Sequence, residues 1–334
     1  MQPKSIASAR AVALAVVVSM SVPLLDGNLA LAADPPPAGT VIATIATPAS
    51  NGQLAFGAGA LWLVSDADTL RRIDPGSDSV VATIPLGCCF FHEVAYGNGG
   101  VWVSNFVDNT VERIDPATNA VVAVIQTTGR APEGIAVTPD AVWVADHHGN
   151  PTGAVDRIDP ATNAVVASIP VGASQFCCGP QAILAAAGAI WVGVPNLFGV
   201  VRIDPEANQV VATIGTGTAS AHALDQSSCG GLASAAGSVW SADGGCNPAH
   251  VWRINPATNA IESFVSPGST PAFVAAGFGS VWVTVRNGLA RLDPASGAIV
   301  GWLSLAQNTP FDVTIGGGSV WLATPSGVLR IQPA

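Results

Sequence analysis

The sequence contains little charge and almost no lysine. Only 10% of its 334 residues are charged, Lys4 is its only lysine, and the formal net charge is −10. Removal of residues 1–32, which contain Lys4, Arg10 and Asp26, would make that charge about −11. Nucleic acids and anionic membranes bind basic surfaces. The composition therefore argues against both as partners.

Long apolar runs are missing after the N-terminus. The one such run, AVALAVVVSMSVPLL, follows Lys4 and Arg10, is broken by Pro23 and precedes the small-x-small site at 30–32. This pattern indicates a cleaved signal peptide rather than a membrane span. We expect residues 1–32 to be removed, residues 33–39 to form a loose, extended Pro-rich lead, and residues 40–334 to be secreted or periplasmic.

Helical periodicity and familiar catalytic motifs are also missing. Short Val-, Ile- and Thr-rich runs alternate with Gly, Pro, Asn and Asp clusters, which predicts an all-β chain. No nucleophile elbow, P-loop or H-E-x-x-H pattern is present. The sequence therefore gives no motif-based indication of a common hydrolase, a nucleotide-binding protein or a zinc peptidase.

A repeat of 40–50 residues dominates the sequence. RIDPATNAVVA occurs twice, from Arg113 and from Arg157. Counting looser forms of RIDP, the sequence has seven copies. The seven copies begin at Arg72, Arg113, Arg157, Arg202, Arg253, Arg291 and Arg330. One tryptophan precedes each copy: Trp62, Trp102, Trp143, Trp191, Trp240, Trp282 and Trp321. This period is typical of propellers and solenoids.

Each repeat unit can be divided into four strands. In the third unit these are EGIAV, AVWVAD, AVDRID and AVVASIPVG, separated by turn residues. Seven such units predict a seven-bladed β-propeller. The last unit ends at VLRIQPA without an outer strand, and TVIATIAT at 40–47 matches the missing text. We expect the N-terminal strand to complete the last blade and close the ring.

The recurrent arginines and tryptophans are interpreted as scaffold. Seven copies at one blade position favour contacts between neighbouring blades over seven catalytic groups. The functional residues are therefore expected among the departures from the repeat.

The text VWVSNFVDNTVERIDPATNAVVAVI resembles the YVTN-type propeller repeat, and P-x-G-I-x-V followed by W-V-x-D resembles virginiamycin B lyases. That family implies a magnesium-dependent opening of a cyclic depsipeptide, with histidines at the start of inner strands. The resemblance places His92 and Glu133 in two of these positions, and Asp146 and Asp243 where the family has a glutamate. The other units carry Gly52, Gln181, Gly230, Ala272 and Phe311 in the histidine position.

The unusual residues fall on one face of the predicted propeller. Loops between blades share that face with the loops between second and third strands, and all five histidines and six cysteines lie in them. This loop-rich face is also acidic; its acids are Asp66, Asp68, Glu93, Asp108, Glu133, Asp146, Asp225, Asp243 and Asp312. Loops that depart from a repeat are where propellers bind ligands.

We place the candidate site at the channel mouth, in the second and third units. His92 and Glu133 are the candidate catalytic residues. The candidate ligand-binding residues are Phe90, Phe91, Glu93, Asn105, Phe106, Asp146 and His147. The leading interpretation is a monomeric protein that binds a small molecule, glycan, peptide or protein there. The alternative is a lyase or hydrolase using His92 as general base with a divalent ion such as magnesium or calcium.

Export makes disulfides the expected state of the cysteines. Cys229 and Cys246 lie in neighbouring loops of one unit, so a bridge between them is expected. The adjacent pairs Cys88-Cys89 and Cys177-Cys178 can form vicinal bridges, bridges to each other, or none.

Overall fold

The computed structural model describes residues 35–47, 52–65, 68–87, 91–148, 153–171, 179–197, 199–215, 230–242, 250–267 and 270–334. These residues form 28 strands in seven antiparallel sheets of four strands each. The predicted seven-bladed propeller is confirmed. One 3-10 turn, Pro195–Leu197, interrupts the strands.

Each blade has four consecutive strands, counted from the channel outward. Blade 1 contains β2 (Gln53–Gly57), β3 (Ala60–Ser65), β4 (Thr69–Asp74) and β5 (Ser79–Pro85). Blade 2 contains β6 (Phe91–Gly97), β7 (Gly100–Asn105), β8 (Thr110–Asp115) and β9 (Ala120–Gln126). Blade 3 contains β10 (Arg130–Thr138), β11 (Ala141–His148), β12 (Ala154–Asp159) and β13 (Ala164–Pro170). Blade 4 contains β14 (Ile183–Ala186), β15 (Ala189–Val194), β16 (Gly199–Asp204) and β17 (Gln209–Gly215).

The remaining three blades follow the same order. Blade 5 contains β18 (Leu232–Ala235), β19 (Ser238–Ala242), β20 (Val251–Asn255) and β21 (Ala260–Val265). Blade 6 contains β22 (Pro271–Gly277), β23 (Ser280–Val285), β24 (Gly288–Leu292) and β25 (Ile299–Ser304). Blade 7 contains β26 (Asp312–Gly316), β27 (Ser319–Thr324) and β28 (Gly327–Pro333), and β1 (Gly39–Ile45) is its outer strand.

The N-terminal strand closes the ring as expected. β1 pairs antiparallel with β28, from Gly39 opposite Pro333 to Ile45 opposite Val328. The lead before β1 is held to blade 6, because Trp302 N donates to Pro36 O (2.9 Å) and Ala38 N donates to Trp302 O (3.1 Å). The expectation of a loose lead is therefore wrong from Pro36 onward.

The repeated tryptophans pack between blades. All seven are fully buried. Trp102 of blade 2, for example, packs with Val142 and Val144 of blade 3. Burial of seven large side chains at equivalent interfaces is a large apolar contribution to the ring.

The repeated arginines tie each blade to the next. Each guanidinium lies 4.8–5.9 Å from the ring centre of its own blade's tryptophan. Arg113 then donates through Nη1 to Pro160 O (2.6 Å) and Asn163 Oδ1 (2.8 Å) in the following blade. Arg330 closes the ring by donating through Nη1 to Pro75 O (2.5 Å) and Asp78 Oδ1 (2.9 Å). The scaffold interpretation is confirmed.

A one-residue bulge recurs beside these arginines in every outer strand. The bulged residues are Ile42, Val81, Val122, Val166, Val211, Glu262 and Val300. A bulge twists an edge strand and interrupts its pairing. The exposed aliphatic residues of the outer strands therefore lie on edges that the bulges protect from pairing with other strands. Among the described residues, no helix is long and apolar enough to cross a membrane.

Candidate functional site

Three acidic side chains begin inner strands at one end of the central channel. Glu93 lies near the start of β6, Glu133 near the start of β10, and Asp312 opens β26. Inner strands of a propeller run in the same direction along the axis, so their starts share the end that carries the inter-blade loops. We call Glu93, Glu133, Asp312 and His147 the channel-mouth cluster.

The carboxyl groups of the cluster affect one another. Burial raises the pKa of Glu93 well above its usual range, and the charges of Asp312 and Glu133 raise it further. Burial also raises the pKa of Asp312 to about 7. The N–H groups of Leu54 and Val313 act in the opposite direction, each donating to an Asp312 oxygen at 2.7 Å. The neutral form of Glu93 is therefore favoured relative to an exposed glutamate, and Asp312 titrates near neutral pH.

A histidine completes this cluster. His147 Nδ1 lies 3.1 Å from Glu133 Oε1, with both side chains largely buried. The His147 ring stacks on His148 with centroids 4.4 Å apart, and the Phe106 ring centre lies 6.3 Å from it. Burial, followed by the charge of His147, lowers the pKa of His148. The cluster thus joins acidic groups to an imidazole and a nearby apolar ring.

Two other predicted site residues occupy separate buried positions. Asn105 is fully buried and exchanges hydrogen bonds with Asp108, at 3.1 Å to Asp108 Oδ2 and 3.0 Å from Asp108 N. Asp146 is fully buried against Gly129, on the segment that joins blades 2 and 3. Burial, followed by the charge of Asp156, raises the pKa of Asp146 to about 9.

The other sequence predictions for this site lie outside the described residues. These are Phe90, Cys229 and Cys246, together with the remaining four cysteines. The backbone of Phe91 and His92 belongs to β6, but their side chains are not described. The catalytic role of His92 and the Cys229–Cys246 bridge stay predictions.

The described residues do not fit the magnesium site that the family resemblance implies. Within the described ranges, no group of three or more His, Cys, Asp or Glu side chains is arranged to hold a metal ion. Backbone N–H donors already occupy both Asp312 oxygens, and burial raises the pKa of Glu93, which favours its neutral form. A divalent ion prefers ionised oxygen ligands.

Comparison with known proteins shows the fold. No protein-family model and no curated protein sequence matches the chain. Virginiamycin B lyase from Staphylococcus aureus, as a catalytically inactive variant with quinupristin, superposes with a TM-score of 0.71 and 15% identity over 87% of this chain and 99% of the other. This chain has the propeller fold of virginiamycin B lyase. The selenomethionine-substituted lyase gives a TM-score of 0.69 and 16% identity, covering 85% and 94%.

A second enzyme shares the fold equally well. Hydrazine synthase from Kuenenia stuttgartiensis superposes with a TM-score of 0.73 and 14% identity, over 89% of this chain and 99% of the other. Unrelated activities occur on one fold, so the activity has to be argued from the site.

Sequence reasoning left two site residues out. Asp312 was assigned to the acidic face but not to the site, because it belongs to blade 7 and follows the histidine position by one residue. Glu93 has the same offset in blade 2, and this shared offset is the signal that could have joined them. Ser104, whose hydroxyl contacts the backbone of both Glu93 and Glu133, gave no comparable signal.

Proposed function

We propose that this protein binds a ligand at the channel mouth of the loop-rich face. The observation that carries the proposal is the convergence of Glu93, Glu133 and Asp312 from three different blades, close enough for the other two charges to raise the pKa of Glu93. The scaffold does not need this arrangement, since the other inner strands have no acid at these positions. Perturbed ionisable groups in a concave site are typical of functional sites.

The chemistry of the mouth indicates what kind of ligand fits. Carboxyl groups accept hydrogen bonds from hydroxyl and amine groups, and a protonated carboxyl also donates one. Phe106 offers apolar ring surface nearby, and the stacked pair His147 and His148 adds aromatic faces with polar edges. A small molecule, glycan or peptide with polar groups around an apolar body matches this combination.

A thermal-shift screen tests the proposal. Oligosaccharides, short peptides and quinupristin serve as probes, because a ligand that binds only the folded state raises Tm. We expect a probe that stabilises the parent to stabilise Glu133→Gln and His92→Ala much less. Glu206→Gln is the control, since Glu206 is exposed in the turn between β16 and β17. Equal stabilisation of the parent and both site variants would show that binding occurs elsewhere.

A lyase activity is the second candidate, favoured by the fold match to a virginiamycin B lyase solved with quinupristin. In this role His92 would act as general base. Incubation with quinupristin, followed by mass spectrometry and chromatography, tests it. Opening of the ring by the parent but not by His92→Ala would support a lyase. Intact quinupristin in both incubations would leave binding as the function.

We also propose that the protein is exported and cleaved after Ala32. The proposal is supported by the basic, apolar and small-x-small order of residues 1–32. N-terminal sequencing of protein from the producing cell should begin at Ala33. An intact Met1 in the cytoplasmic fraction alone would contradict it.

A further inference from the structure

The hydroxyl of Ser104 lies between the inner strands of blades 2 and 3. Ser104 is fully buried on β7. Its Oγ accepts a hydrogen bond from Glu93 N (3.0 Å) and donates one to Glu133 O (2.6 Å). One hydroxyl therefore satisfies the backbone of both cluster glutamates.

This contact replaces missing sheet pairing. The register between β6 and β7 shifts between Phe91 and Val94, which takes Glu93 out of the ladder. The register between β10 and β11 shifts in the same way between Pro132 and Ile135. A buried N–H or C=O without a partner costs free energy. The Ser104 hydroxyl supplies both partners at the place where the two inner strands leave their sheets.

The equivalent position in the other blades does not make this link. It is held by small or apolar residues in five blades: Val64, Ala145, Gly193, Ala242 and Ala323. Blade 6 has Thr284, whose hydroxyl bonds only to its own blade in the described residues, at Phe273 N (2.8 Å) and Phe273 O (3.5 Å). The bridge from one blade to the next thus occurs where two cluster glutamates meet.

We propose that Ser104 is a positioning residue that fixes the spacing of Glu93 and Glu133 at the channel mouth. Its purpose rests on the proposed ligand site. Glu93 is faced by the carboxyls of Asp312 and Glu133, and Glu133 is paired with His147. Without the Ser104 hydroxyl, the N–H of Glu93 and the C=O of Glu133 would lose their partner. Water would enter to bind them, or the inner strands of blades 2 and 3 would separate. Both effects favour the charged form of Glu93 and lower its pKa.

Carboxyl titration by NMR can test this directly. The chain has only five glutamates, so labelling with ¹³C-glutamate gives five side-chain carboxyl signals, which Glu→Gln variants assign. We expect the midpoint of Glu93 to fall by about half a pH unit or more in Ser104→Ala. Ser104→Thr keeps the hydroxyl and should retain the parent midpoint. Thr284→Ala removes the matching hydroxyl of blade 6 and should leave all five midpoints unchanged.

The outcomes separate positioning from general stability. An unchanged Glu93 midpoint in Ser104→Ala, or an equal shift in Thr284→Ala, would overturn the proposal. If Ser104→Ala is too unstable to titrate, Ser104→Cys keeps the volume with a weak donor and takes its place. The titration needs no ligand, so failure of the proposed binding function would not affect its result.

Discussion

Replacing Asp146 with asparagine should stabilise the protein at neutral and alkaline pH. Asp146 is fully buried, and burial with the nearby charge of Asp156 raises its pKa from 3.8 to about 9. Asp156 is itself held by Thr128, which donates to it through N and Oγ1 at 2.6 Å each. Blade 2 carries Asn105 at the position that corresponds to Asp146, so the fold accommodates the amide.

The magnitude follows from proton linkage. A group whose folded pKa is raised contributes stability that is complete below its unfolded pKa and is lost as pH rises through the folded value. For Asp146 this window runs from pH 3.8 to about 9. Each pH unit inside it removes about 1.4 kcal/mol, so by pH 7 the loss approaches about 4 kcal/mol. Asparagine does not titrate and avoids that loss.

Urea unfolding at pH 5, 6, 7 and 8, followed by tryptophan fluorescence, measures the effect. The difference in unfolding free energy between Asp146→Asn and the parent should grow by about 1.4 kcal/mol per pH unit. Asp159→Asn in the same blade is the control, because the backbone N–H of Ala161 and the Thr162 hydroxyl lower the pKa of Asp159. Asp159 is ionised in both folded and unfolded protein above pH 5, so its difference should not change from pH 5 to pH 8. A difference that stays constant from pH 5 to pH 8 would refute the assignment of a buried proton to Asp146.

Three further predictions concern closure of the ring and the cysteines. Deleting residues 33–47 removes the outer strand of blade 7 and should lower Tm by roughly 10 °C in calorimetry; an unchanged Tm would contradict closure. Arg330→Ala loses the hydrogen bonds to blade 1 and should cost about 2 kcal/mol in denaturant unfolding, while exposed Arg286→Ala should cost little. Peptide mapping of exported protein without reductant should find Cys229 joined to Cys246, and two free thiols would disprove the bridge.

The fold could be read from the sequence because its determinants repeat. Six of the seven arginines donate to the turn between third and fourth strands of the next blade, and Arg291 donates to the C-terminal Ala334 O instead. The recurring contact gives the sequence its repeat period. Ring closure was also readable, because β1 carries the outer-strand pattern that the C-terminus omits. A pattern that recurs in every blade stays recognisable even where one blade departs from it, so the fold can be predicted from the repeat.

The site could be read only in part because it consists of departures from the repeat. The order of strands and loops predicts that Glu133 and His147 lie at the same end of the channel, and in the structure the two side chains contact each other there. It could not show that Asp146 turns into the protein or that Asp312 acts on Glu93 across the channel mouth. Those outcomes depend on side-chain direction and on bulges that take single residues out of register. The bulges between Phe91 and Val94 and between Pro132 and Ile135 were not marked clearly enough in the sequence to be placed from it.

The most direct test of the channel-mouth site is to follow the five glutamate carboxyl signals while adding the probe that most stabilises the parent in the thermal-shift screen. Glu93 and Glu133 should shift and saturate together with the thermal effect. Glu206 and Glu262, which are exposed away from the mouth, should not move. Saturable binding that shifts Glu206 or Glu262 and leaves Glu93 and Glu133 in place would contradict the account.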